Sequence, residues 1–128
     1  AIEEVPIGCV IVYKDKIIGR GYNKRNLKKN TLAHAEILAM NKASKVIGDW
    51  RLEDCTMYVT LEPCPMCAWA ISMSGISTVY FGSYNQQYGA MESAVKLPLN
   101  PNLKIYGGIE EETCNKILEE FFETIRKR

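Results

Sequence analysis

Several things are scarce in this 128-residue sequence, beginning with histidine, which occurs once. No apolar run approaches the roughly 20 residues that span a bilayer, and no basic-then-apolar leader opens the chain. Neither a membrane-spanning helix nor a signal peptide is therefore expected, and a membrane is not expected as a partner. Charge of one sign is lacking too. Sixteen Lys and Arg stand against 15 Asp and Glu, a formal net charge of +1, which leaves no strong nucleic-acid footprint. The five cysteines are an odd count for a disulfide framework and fit reduced thiols in a cytoplasm. Repeats and low-complexity segments are absent. An initiator methionine is absent as well, because the sequence opens at Ala1, and an N-terminal piece is expected to precede it.

What is present suits one soluble globular domain over residues 1–128, with 47% hydrophobic and 24% charged residues. A domain of this size buries roughly two-thirds of the surface its unfolded chain exposes. Basic residues gather in KRNLKK (24 to 29) and RKR (126 to 128), and both runs read as solvated loop or tail.

The pattern of elements is alternating. VPIGCVIVY (5 to 13) is continuously apolar and β-branched, KDK turns it, and IIGRGYN (17 to 23) returns as its hairpin partner. Residues 32 to 48 carry helical spacing and stop at Gly48. CTMYVTLE (55 to 62) is a third strand. Pro63 and Pro65 suit the first turn of a helix that runs to about Ser74 and stops at Gly75. STVYFGS (77 to 83) and NLKIYGG (102 to 108) are further strands, and an amphipathic helix closes the chain. The order β-β-α-β-α-β-β-α predicts an α/β fold, a single sheet of five strands with helices on its faces. The loop from 84 to 101 is long for a compact domain, and such loops tend to be functional.

Chemistry concentrates in YVTLEPCPMCAWA (58 to 70), where Cys64 and Cys67 follow a strand. Alone, this C-x-x-C fits a redox dithiol, half of a structural zinc knuckle, or a catalytic metal site. Positions i and i+3 share a helix face, and a helix N-terminus favours the thiolate form that binds metal. The one histidine, His34, lies in AHAE and completes a set of one imidazole and two thiolates. Three protein ligands with a fourth position left for water is the catalytic zinc pattern. A structural site needs a fourth ligand, and the spare Cys9, Cys55 and Cys114 all sit in apolar patterns where cysteine packs as a small hydrophobe. A thioredoxin-like reading leaves the histidine and Glu36 without a role.

Glu36 is either an exposed helix acid or a proton shuttle beside a metal-activated water. Residues i and i+2 diverge by about 200° on a regular helix. His34 and Glu36 converge only if His34 stands at the first turn, before the backbone is helical. Asn30 and Thr31 are candidate caps for such a start.

H-x-E followed by P-C-x-x-C resembles the zinc nucleobase deaminases. VPIGCVIV, GYN, AHAEILA, WRLEDCTMYVTLEPCPMC, VYFG and LEEFF resemble the bacterial TadA-type tRNA adenosine deaminases over nearly the whole chain. The resemblance implies a cytidine deaminase-like three-layer α/β/α sandwich, a homodimer, and conversion of a tRNA wobble adenosine to inosine in the cytoplasm. By position it implies one Zn2+ on His34, Cys64 and Cys67, with Glu36 moving protons for a water that attacks C6 of the adenine. Asn23, Asn85 and Asn102 fall where the family has substrate-contacting residues, although each also fits a plain turn. Members of the family begin with an additional helix, and this sequence starts near its end.

Departures from the family pattern gather at substrate and dimer positions. Thr31 and Leu32 replace Pro-Thr, Trp69 takes a usually small position, Gly75 replaces an arginine, and NLK (102 to 104) replaces Asn-His-Arg. Asn85 stands where an aspartate beside the ribose is usual. The substrate is therefore held open between a tRNA anticodon stem-loop and a free nucleobase or nucleoside such as guanine, cytosine or adenosine. A non-catalytic zinc module or dithiol protein is the reading from outside enzymology, and Glu36 argues against it.

Overall fold

The computed structural model describes residues 5–24 and 28–126. Part of the basic stretch at 24 to 29, and the end of that at 126 to 128, lie outside the described residues. Strands β1 (Gly8–Tyr13) and β2 (Lys16–Tyr22) form the expected hairpin. Its turn residues Lys14 and Asp15 both have positive φ, 48° and 63°, the left-handed pair that matches the twist of a two-residue hairpin. Helix α1 (Ala35–Ile47) ends on Gly48 at φ 81°. Strand β3 (Thr56–Leu61) pairs antiparallel with β1. Helix α2 (Pro65–Ser74) is the crossover that lets β4 (Thr78–Ser83) lie parallel to β3. Strand β5 (Lys104–Tyr106) adds a second parallel pair, and α3 (Glu111–Arg126) follows. The sheet has five strands in the order β2-β1-β3-β4-β5.

Period-two alternation sorts the faces. Ile11, Met57, Val59, Val79 and Phe81 form one core with Ala35, Ala39 and Ala43 of α1 and Ile71 of α2. The opposite face presents Tyr58, Tyr80 and Tyr106, whose rings stack at 5.0 and 5.2 Å between centroids. Helix α3 packs on that face over β4, where Gly82 meets Cys114. The layers are thus α1 and α2, sheet, and α3, the expected α/β/α sandwich. Close contact with α1 depends on Gly21, since a Cβ there would stand 2.3 Å from the Ala35 carbonyl oxygen.

Two boundaries differ from the sequence reading. Helix α1 starts at Ala35 rather than 32, and Asn30 does not cap it; its Oδ1 accepts the Leu32 N–H at 2.9 Å in a turn. Strand β5 keeps three residues because Leu103 N–H is spent on Asn100 O, inside the preceding turn. Among the described residues no helix is long and apolar enough to cross a membrane.

Candidate active site

Two helix starts converge at one end of the sheet. His34 is the N-cap of α1, with extended backbone at φ −74° and ψ 151°. Cys64 is the N-cap of α2, extended at φ −71° and ψ 172°, with Pro65 behind it in the first turn. Neither side chain caps its own helix. The partial positive charge of both helix starts favours thiolates here. The extended His34 backbone also answers the geometric objection raised by the sequence, since His34 and Glu36 are no longer two residues of one regular helix.

His34 Nδ1 lies 3.7 Å from Cys64 Sγ and 3.5 Å from Cys67 Sγ. All three donor atoms fall within 4.8 Å of one another. Tetrahedral zinc with Zn–S of about 2.3 Å and Zn–N of about 2.0 Å separates N from S by roughly 3.5 Å. The donor set therefore has the spacing and the chemistry that such a metal requires. The two thiols are coupled. The hydrogen bond from Cys67, opposed by burial and aided by His34, brings Cys64 down to about 4. The same bond, with burial and the Glu36 carboxylate, pushes Cys67 up. Cys9 and Cys55 are buried in the core and Cys114 is half-buried against Gly82, so none of them joins the cluster.

Glu36 sits on the first turn of α1 at 4% exposure. Burial pushes its carboxyl up to about 7, and the nearby Cys64 thiolate adds to the rise against hydrogen bonds and His34. A carboxyl made easier to protonate suits a group that takes a proton and returns it. Glu36, His34 and Cys64 line one cavity of about 670 Å³, in the size range of small-molecule sites.

Asn23 and Asn85 line the same cavity. Asn23 is buried where β2 ends, and its Nδ2 donates to the Val5 carbonyl at 3.4 Å. Asn85 also has the turn role foreseen as its alternative, because its Oδ1 accepts the Tyr88 N–H at 3.1 Å. Asn102 is not brought to the site. It is exposed in the turn before β5, where Lys104 pairs with Thr78 at the start of β4, and the cavity lies beyond the other end of that strand. Sequence reasoning passed over Glu62, which is buried and holds part of the cavity wall. The signal was a glutamate directly after an apolar strand, where a charge is costly unless it is paired or hydrogen-bonded.

A family model described as MafB19-like deaminase matches residues 1–126. The tRNA-specific adenosine deaminase of Bacillus subtilis (strain 168) is 41% identical over 129 residues, covering 98% of this chain and 80% of that protein. The chain belongs to the tRNA-specific adenosine deaminase family. It is thereby a hydrolytic deaminase with the cytidine deaminase-like fold. A structure from work on A-to-I editing by tRNA:A34 deaminases at the wobble position superposes with a TM-score of 0.83 at 36% identity, covering 88% of this chain and 84% of that one. Guanine deaminase from Bacillus subtilis is 40% identical with a TM-score of 0.60, over 61% of this chain and 50% of that one.

Proposed function

We propose that this deaminase converts the wobble adenosine of a tRNA anticodon stem-loop to inosine, with one zinc ion held by His34, Cys64 and Cys67. The observation that carries the reading is the cluster of these three donors at a cavity that His34, Cys64 and buried Glu36 line. The likeness to tRNA-specific adenosine deaminases over 98% of the chain supports the choice of substrate. When bound, zinc supplies Lewis-acid activation of water at neutral pH. Glu36 takes a proton from the attacking water and places it on N1 of the adenine, then takes the second proton from the hydroxyl now on C6 and gives it to the departing amino nitrogen. Water adds at C6, the C6–N bond breaks, and ammonia leaves. Asn23 and Asn85 meet the nucleotide from the cavity wall. A cytoplasmic homodimer fits this substrate, with exposed Trp69 and Met73 of α2 in the subunit contact.

A second reading, deamination of a free base, is favoured by the near-neutral charge and by the partial likeness to guanine deaminase. Ammonia release from an anticodon stem-loop with adenosine at the wobble position, set against free guanine, cytosine and adenosine, separates the two. Turnover of a free base with none of the stem-loop would overturn the proposal.

A further inference from the structure

The β3 end that delivers Cys64 also carries Glu62, two residues earlier and 1% exposed. Its carboxylate collects five hydrogen bonds from one segment, residues 85–93. Oε2 accepts three consecutive backbone N–H groups, those of Met91 at 3.0 Å, Glu92 at 2.6 Å and Ser93 at 3.0 Å. Oε1 accepts the Asn85 N–H at 3.2 Å and the Ser93 hydroxyl. Successive N–H groups that meet one oxygen form an anion nest, and bonds to an ionised acceptor are roughly twice as strong as neutral ones. The Ala90 N–H adds a bond to the Pro63 carbonyl at 2.9 Å. Gly89 comes so close that a Cβ there would stand 2.4 Å from Glu62 Oε1.

The held segment is a cavity wall. Gln86, Gln87 and Tyr88 line the cavity yet are exposed, so packing does little to fix them. Their backbone is fixed from below, by the two ends anchored on one carboxylate. We propose that Glu62 is a positioning residue that shapes this wall for the substrate, and thereby sets substrate binding rather than the chemical step. The proposal rests on the tRNA reading for its substrate but not for its structural half.

Glu62→Gln keeps the shape and turns one acceptor oxygen into an NH2 that faces N–H donors. The test measures this variant as zinc-loaded protein on an anticodon stem-loop RNA, with zinc content and amide hydrogen exchange read in parallel. The expected result is a KM rise of about tenfold or more, the equivalent of one lost charge-assisted bond, with kcat within about threefold. Zinc content stays at the wild-type ratio and faster exchange is confined to 85–93. An unchanged KM, a fall in kcat at unchanged KM, or loss of zinc overturns the proposal. Should Glu62→Gln not fold, Ser93→Ala at an exposed position removes a single bond, and a KM rise of a few-fold with unchanged kcat is the criterion. Should wild type leave the stem-loop untouched, the tRNA reading fails, and exchange in 85–93 alone judges the clamp: protection equal to wild type in the variant overturns it.

Discussion

His34 Nδ1 stands 3.5 Å from Cys67 Sγ although 33 residues separate the two in the chain. Two helix starts on different strands have to be held in register to achieve this. Cys67→Ala is therefore expected to lose zinc, to well below one ion per chain by elemental analysis. It should also lower the melting temperature, since metal-binding energy becomes folding energy. A variant that keeps a full zinc complement contradicts the ligand set.

Glu36→Gln is expected to keep zinc and fold while deamination falls by roughly 10²–10⁴-fold or more, the usual worth of general acid–base work. The amide preserves the shape but cannot carry the proton. Single-turnover rates with matched zinc content measure this, and activity within a few-fold of wild type would remove Glu36 from the mechanism.

Much of this was legible beforehand because the patterns were local. The β1–β2 hairpin, the glycine stops at Gly48 and Gly75, and the i, i+3 cysteines behind a proline are written in neighbouring residues. The His34–Glu36 pair was legible only as a condition, that His34 stand before the helix, and the extended backbone at His34 meets it. Glu62 was not legible, because its partners lie 23 to 31 residues away and are mostly backbone N–H groups that no side-chain pattern announces. The position of Asn102 was not legible for a related reason. Resemblance put it near substrate, while the parallel register of β5 sets it at the far end of the sheet from the cavity.

Gly21→Ala tests how α1 carries the site. The new Cβ would meet the Ala35 carbonyl oxygen at 2.3 Å and the Ala39 nitrogen at 2.8 Å, and both are backbone atoms that cannot turn aside. Overpacking of this kind costs about 1–3 kcal/mol. Chemical unfolding should show that loss, together with reduced activity from the displaced His34 and Glu36. A neutral effect on both would mean that α1 is not seated through Gly21.

Trp69 and Met73 lie one turn apart on α2 at 44% and 62% exposure, so the tryptophan is not simply a core residue. A tryptophan buries about 150–250 Å² when covered, a large share of a subunit contact. Sedimentation at micromolar concentration should give a dimer, and Trp69→Glu should give a monomer. A wild-type monomer would contradict this.

Asn85 is proposed to meet the sugar of the target nucleotide. Its Oδ1 holds the Tyr88 N–H, and an aspartate keeps that acceptor while offering a second, charged oxygen. A carboxylate beside the ribose accepts more strongly from the 2′-hydroxyl, the group that distinguishes RNA from DNA. Asn85→Asp is thus expected to raise the ratio of rates on ribo- over deoxyadenosine at the target position of one stem-loop. An unchanged ratio means that Asn85 does not read the sugar.

The most direct test of the central claim is nucleoside analysis of an anticodon stem-loop after incubation with the zinc-loaded protein. Adenosine is placed at the wobble position of one RNA and only elsewhere in a second. Inosine should appear in the first RNA alone and vanish with Glu36→Gln. Absence of inosine from the first RNA, with zinc bound at one ion per chain, would contradict wobble adenosine as the substrate of this site.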